Sequence, residues 1–303
     1  MQCTCPYSKW AKSLAEYLSA TLQAFHQNPW LFYSSVIFTG LAVGSFLNVV
    51  IYRLPIMLEN EWRRDCKSFL ELQADKQTSF NLSKPASGCP LCGHKIRAWE
   101  NIPVISYILL RGRCASCAAH ISTQYPIIEV ITALLSLSVA LKFGVSLHTL
   151  FGLFLTWSLI ALTMIDAQKQ LLPDAITLPL LWAGLLINTS NIFTDLESSV
   201  YGAAIGYLIL WSIYKLFKLL TGKEGMGYGD FKLLAALGAW MGWLLLPQII
   251  LLSSLVGAVT GISMIIISKH NKNTPIPFGP YLAIAGWIAF LWGGDINRLW
   301  LNI

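Results

Sequence analysis

Apolar stretches separated by short polar ones recur along most of this chain, and they set its plan. Eight of them predict helices that cross a membrane: residues 30–52, 127–141, 147–165, 175–192, 200–216, 231–246, 248–267 and 278–294. Several fall short of the ~20 apolar residues that an upright crossing needs, so their ends and the count of eight are approximate. Ahead of the first run, Leu14, Leu18, Leu22 and Phe25 recur at helical spacing among Lys9, Lys12 and Glu16. That pattern predicts an amphipathic helix lying on the membrane surface, with a frayed polar tail as the alternative. Residues 1–29 lack a short apolar core followed by a small-residue cleavage site, so no signal peptide is expected. One long polar segment, 53–126, interrupts the plan between the first and second runs. Its first part, Glu59 to Leu72, alternates in charge and predicts a short amphipathic helix along the membrane. Its second part, 85–120, is rich in cysteine, glycine and proline. No repeat of fixed period is visible.

The expected fold class is an all-α polytopic membrane protein of about eight transmembrane helices, with a small polar domain between helices 1 and 2. Composition agrees. Hydrophobic residues make up 55% of the chain and charged residues 12%, where a soluble domain carries about 25% charged. The net charge of +6 does not point to nucleic acid, because the basic residues follow the membrane topology. Of the 21 lysines and arginines, all but Lys9, Lys12, Lys142 and Arg298 fall on the face that carries the polar segment. An excess of positive charge marks the cytoplasmic face, which places both termini outside. Membrane lipid is then a partner and nucleic acid is not.

Two Cys-x2-Cys hooks, Cys89 with Cys92 and Cys114 with Cys117, stand 21 residues apart in the polar segment. Four thiolates at this spacing predict one Zn2+ per chain in a closed tetrahedral site, which makes its role structural. Disulfides are the alternative, disfavoured because a cytoplasmic segment stays reduced. His94, next to Cys92, is expected beside the ligand set rather than in it. Cys3, Cys5 and Cys66 receive no role.

Two aspartates stand at the ends of apolar runs: Asp166 in Ile-Asp-Ala-Gln-Lys-Gln-Leu-Leu-Pro-Asp (165–174) and Asp230 in Gly-Tyr-Gly-Asp (227–230). A carboxylate beside a membrane span is costly to keep and marks a functional site by default. Two that meet can activate water, one as ionised base and one as protonated acid, because like charges in contact cannot both ionise. An even number of crossings separates the cysteines, Asp166 and Asp230, so all three fall on one face, and the aspartates read as the catalytic pair of an intramembrane aspartyl protease. Gly225, Gly227 and Gly229 are expected to bend the chain and leave Asp230 exposed to water. A phosphate-binding loop is the alternative, but no lysine follows the last glycine and no strand precedes it. Asp174, at the start of the fourth run, is expected to cap its helix, with catalysis as the alternative. Glu129, Asn48 and Arg53 are polar residues at span ends whose roles the pattern leaves open.

On these residues the chain resembles the bifunctional type IV prepilin peptidases, the prepilin leader peptidase/N-methyltransferases. The resemblance runs almost end to end. It covers Gly-Ser-Phe-Leu-Asn-Val-Val-Ile-Tyr-Arg-Leu-Pro (44–55), Asn-Ile-Pro-Val-Ile-Ser-Tyr (101–107), Arg-Gly-Arg-Cys-Ala-Ser-Cys (111–117), Gln-Tyr-Pro-Ile-Ile-Glu (124–129), the two aspartate motifs and Ile-Pro-Phe-Gly-Pro-Tyr-Leu-Ala (276–283). It implies that Asp166 and Asp230 form the protease dyad of a Gly-x-Gly-Asp aspartic endopeptidase. It implies removal of the basic leader of prepilins and pseudopilins at the cytoplasmic side of a bacterial inner membrane, in support of type IV pilus biogenesis and type II secretion. It also implies N-methylation of the new N-terminal residue, usually Phe, with S-adenosylmethionine as donor. No Gly-rich strand–helix fingerprint for that donor is present, and its expected neighbourhood is the zinc-bearing segment. The chain then divides into an N-terminal amphipathic segment (1–29), a first transmembrane helix (30–52), a cytoplasmic zinc-binding, methyltransferase-associated domain (53–126) and a seven-helix peptidase domain (127–303). A transporter and a secretion-machine scaffold are the readings from other classes. The first predicts acids near the bilayer midplane and two related halves, neither of which the pattern shows. The second predicts prepilin processing that survives loss of the protein.

Overall fold

The computed structural model describes residues 7–72, 80–223, 225–268 and 277–301. Cys3 and Cys5 lie outside them. Ten α-helices run in chain order: α1 (Tyr7–Gln27), α2 (Pro29–Phe69), α3 (Ile105–Leu109), α4 (Gln124–Phe143), α5 (Leu147–Lys169), α6 (Asp174–Asn188), α7 (Leu196–Thr221), α8 (Tyr228–Met241), α9 (Leu246–Ser268) and α10 (Gly279–Leu301). A helix occupies each of the eight apolar runs, and α1 covers the predicted amphipathic segment. Local chemistry sets several ends. Ser146 Oγ accepts the Thr149 N–H at 3.3 Å and opens α5, and Asp195 Oδ2 accepts the Ser198 N–H at 2.7 Å and opens α7. Gly144 (φ 62°) and Gly222 (φ 71°) close α4 and α7 in the left-handed region.

Five stretches among the described residues are long and apolar enough to cross a membrane: Pro29–Phe69, Gln124–Phe143, Leu147–Lys169, Leu196–Thr221 and Trp243–Ser263. The 41-residue α2 is the longest. At ~1.5 Å per residue it reaches about 60 Å, twice the ~30 Å hydrocarbon core. The charged stretch from Glu59 onward is therefore the continuation of the first helix, passing through Pro55 without a break. It is not the separate surface helix that its charge pattern suggested.

On one side of the bundle the centre is α8, which lies against α6, α7 and α10. Phe231, Leu233, Leu234, Ala236, Leu237, Ala239 and Trp240 are all fully buried. With 14 residues, α8 is too short to span the hydrocarbon core at ~1.5 Å per residue, and it has no need to, since protein rather than lipid surrounds it. In lipid, helices associate by close packing rather than by hiding apolar surface from water. Here α7 and α8 cross so closely at Gly202 and Gly238 that a Cβ on either would meet the other's carbonyl oxygen. On the other side of the bundle α2, α4 and α5 meet in a second apolar cluster of Leu47, Ile51, Ile128, Ile160, Ala161 and Ile165.

Candidate functional site

Asp166 lies in the last turn of α5, and Asp230 is the third residue of α8. Both are buried, at 5% and 7% exposure, so Asp230 is not open to water as its glycines suggested. The two lie within charge–charge reach of each other. Three helix ends make this meeting. Helix α5 stops just past Asp166 because Gln170 turns left-handed (φ 53°) and bonds back to the Asp166 carbonyl at 2.8 Å. The N–H of Gly227, just ahead of α8, bonds the Asp230 carboxylate, the reach-back of a third-position acid seen at many helix starts. The N–H of Gly279, first residue of α10, bonds the Asp166 carboxylate. Two helix N-termini thus direct their positive ends at the pair.

Packing leaves the carboxylates little latitude. Leu172, from the link between α5 and α6, fills the space beside them. A Cβ on Gly229 would come within 2.7 Å of Leu172, and one on Gly279 within 2.5 Å of Asp166 Oδ2. Asp166 Oδ2 and Asp230 Oδ1 are nonetheless buried with no hydrogen-bond partner among the described residues. Buried polar atoms in folded proteins are nearly always paired, so two orphaned carboxylate oxygens on adjoining helix ends suit a bound water or a substrate carbonyl. Gly279 and Leu172 had no role assigned from sequence. The Pro-Phe-Gly-Pro run that opens the last helix was the available signal for Gly279.

Asp174 does not cap α6. Pro173 holds the cap position and Asp174 is the first helical residue. Its carboxylate instead takes Lys232 Nζ at 2.7 Å through both oxygens, an exposed ion pair that ties α6 to α8 two residues past Asp230.

The four cysteine Sγ atoms of Cys89, Cys92, Cys114 and Cys117 lie within 4.8 Å of one another. Sγ–Sγ distances are 3.7 Å for Cys89–Cys117 and 3.9 Å for Cys92–Cys114. Tetrahedral Zn–S bonds of ~2.3 Å require edges of about 3.8 Å, so the cluster fits the ion. Each hook folds in the same way. Cys89 N–H bonds the His94 carbonyl and Gly93 N–H the Cys89 carbonyl, both at 2.9 Å. In the second hook, Cys114 N–H bonds the Ala119 carbonyl at 2.8 Å and Ala118 N–H the Cys114 carbonyl at 3.0 Å. Backbone N–H groups of Cys92 and Leu91 bring the Cys89 thiol down to about 6, and those of Cys117 and Ser116 lower Cys114. Such thiols ionise readily, as metal ligation demands. His94 stands outside the ligand set, its Nε2 3.0 Å from Glu100 Oε2. The Arg97 N–H and then His94 hold the Glu100 carboxyl below its usual range. Cys66 is free and exposed on the extension of α2.

The three unassigned polar residues are all buried. Arg53 donates to the Asn81 carbonyl at 3.0 Å and the Leu82 carbonyl at 3.3 Å, and stacks on Phe80. It thereby ties the cysteine-bearing segment to α2. Asn48 Nδ2 donates to the Gly44 and Tyr125 carbonyls at 3.2 and 3.1 Å. Glu129 Oε2 accepts the Val104 N–H at 2.8 Å.

Residues 38–143 match the model of the bacterial peptidase A24 N-terminal domain, and residues 153–262 match that of the type IV leader peptidase family. A prepilin leader peptidase/N-methyltransferase of Aeromonas hydrophila is 56% identical over 94% of this chain and 99% of its own length. Proteins of the same description from Stutzerimonas stutzeri (57%, covering 91% of this chain and 96% of the relative) and Legionella pneumophila (47%, covering 90% and 96%) are similar throughout. No solved structure matches the chain.

Proposed function

The chain belongs to the type IV leader peptidase family, and from that premise we propose that Asp166 and Asp230 are its water-activating pair. It is a membrane enzyme, a prepilin peptidase with N-methyltransferase activity. The observation that carries the assignment is the pair of buried, unpartnered oxygens, Asp166 Oδ2 and Asp230 Oδ1, on carboxylates within charge reach of each other. One carboxylate, ionised, takes a proton from water as the water attacks the scissile carbonyl. The other, protonated, gives its proton to the carbonyl oxygen. No covalent intermediate forms. Leu172 and the α10 N-terminus hold Asp166 in place, and the start of α8 holds Asp230.

The substrates are prepilins and pseudopilins of the bacterial inner membrane, with a basic leader in the cytoplasm and an apolar helix in the bilayer. The clustering of lysines and arginines on the face of the cysteine segment supports a cytoplasmic position for that segment and the aspartates. Cys89, Cys92, Cys114 and Cys117 hold one Zn2+, which supplies cross-linking of the two hooks and no open coordination position. S-adenosylmethionine supplies an electrophilic methyl group for the new N-terminus. Type IV pilus assembly and type II secretion consume the products.

The test replaces each aspartate by Asn in separate variants and follows leader removal from a prepilin in membranes. Loss of a triad-type catalytic group costs on the order of 10⁴-fold or more, so cleavage falls to background in both. Full cleavage by either well-inserted variant refutes the pair.

A further inference from the structure

Glu129 is a third buried carboxylate, one that the proteolytic step does not use. It is 7% exposed and sits on α4, where α2 approaches so closely that a Cβ on Gly44 would come within 2.7 Å of the Glu129 Cα. The Val104 N–H and the Ser45 hydroxyl bond it. Neither carries a charge, and no lysine, arginine or histidine among the described residues pairs with it. Arg53, five residues past Asn48 on α2, is turned to the Asn81 and Leu82 carbonyls. One turn along α4 the Tyr125 carbonyl holds Asn48, whose Oδ1 is buried with no hydrogen-bond partner among the described residues. Val104 itself stands at φ 60°, ψ −47°, a costly conformation for a β-branched residue and one that persists at functional sites.

The charge is the informative part. Pinning Val104 needs only an acceptor, which a glutamine carbonyl would supply without the cost of desolvating a carboxylate. An acid held by neutral donors, one helical turn from the carbonyl that holds an orphaned amide oxygen's side chain, forms a socket of acceptors that suits a cation. Its surroundings are also informative. Ile128 and Leu47, the sequence neighbours of Glu129 and Asn48, pack in the same apolar cluster as Ile165, the neighbour of Asp166. Glu129, Asn48 and Asp166 therefore border one apolar cluster, and Tyr52 and Tyr125, one helical turn from Asn48 and Glu129, are exposed.

We propose that Glu129 and Asn48 bind the α-ammonium group that leader removal creates, and so hold the acceptor nitrogen for methylation. This deepens the prepilin reading and rests on it. An ammonium has no lone pair to offer. On transfer of its proton the N–H bond breaks, an O–H bond forms on Glu129, and nitrogen keeps the electron pair.

The test compares a leader-free pilin N-terminal peptide carrying a free α-amine with its α-acetylated form, binding to the full-length protein in nanodiscs without methyl donor. A hydrogen-bonded charge contributes ~1.5–3 kcal/mol, so wild type should prefer the free amine by at least about tenfold. In Glu129→Gln, which keeps the Val104 bond, that preference should shrink to about twofold. The KM for methylation should rise and its kcat fall, while metal content and leader removal hold. A preference that survives in Glu129→Gln overturns the proposal. Should that variant fail to insert, Asn48→Ala decides in the same way: a shrunken preference supports the socket and an intact one overturns it. Wild-type protein that removes no leader sinks the prepilin reading itself, whereas one that removes leader yet binds both peptides equally sinks only the socket.

Discussion

Where Asp166 and Asp230 come from distant helix ends and lose almost all contact with solvent, the four cysteines stand on two surface turns that repeat one local design. The aspartate pair is a property of the whole bundle. It exists only while α5, α8 and α10 are packed, and nothing within any one of those helices specifies it. The cysteine cluster is nearly the reverse. Each hook is shaped by its own backbone hydrogen bonds, and a metal ion would have only to join the two. One centre should therefore fail when packing is disturbed, and the other when metal or turn geometry is.

Removing the metal sharpens this contrast most. Structural Zn2+ contributes ~10–16 kcal/mol to folding in small zinc modules, and among the described residues no covalent cross-link joins these hooks. Cys89→Ser with Cys117→Ser should take bound zinc from one equivalent to none and methylation to background. Leader cleavage should stay within about threefold, since distant, independently packed sites behave additively. Metal analysis alongside a two-activity assay checks this. Undiminished zinc would exclude the cysteine site, and parallel loss of both activities would show that the two centres are not separable.

The converse disturbance is Gly279→Ala. Its Cβ would stand 2.5 Å from Asp166 Oδ2, so the carboxylate or the start of α10 has to move. A displacement of ~1 Å at a reacting group costs about 10²-fold in rate. Cleavage should fall by that order with zinc content unchanged. Gly229→Ala would bring its Cβ within 2.7 Å of the Leu172 Cβ, which no side-chain rotation can move, and should cost a comparable factor. Equal rates for Gly279→Ala and wild type would mean that α10 does not hold Asp166.

The same contrast explains what the sequence could and could not disclose. Apolar runs marked every long helix, and Cys-x2-Cys spacing marked the metal cluster, because each signal is local. Counting crossings placed Asp166 and Asp230 on one face, but nothing local showed that Gly279 and Leu172 would close around them. Alternating charge past Glu59 reads alike whether a helix lies on a bilayer or rises out of it, so the extension of α2 was missed. Asp174 looked like a cap because Leu-Pro-Asp commonly starts a helix, while its partner Lys232 lies on a helix far along the chain. Glu129 was visible as a polar residue inside an apolar run. Its partner Val104 comes from a backbone conformation that residue type alone disfavours.

The smallest expected effect isolates the turns themselves. The hooks repeat without sharing sequence beyond their cysteines, which is why no repeat was visible. The first uses Gly93 at φ 70°, and the second uses Ala118 at φ 57° for the same turn. A left-handed conformation costs an L-residue about 1–2 kcal/mol that glycine avoids, and glycine returns about 0.5–1 kcal/mol of that in backbone entropy. A Cβ on Gly93 would meet nothing within 4 Å, so Gly93→Ala tests backbone conformation with no steric contribution. It should weaken zinc by about fivefold or less, the equivalent of ~1 kcal/mol. Ala118→Gly should strengthen it by a similar or smaller factor, and the double exchange should return close to wild type, as independent sites do. Chelator competition on the intact protein measures all three. If Gly93→Ala abolished zinc binding while Ala118→Gly changed nothing, the two hooks would not be equivalent, and the shared geometry of their hydrogen bonds would not be what holds the ion.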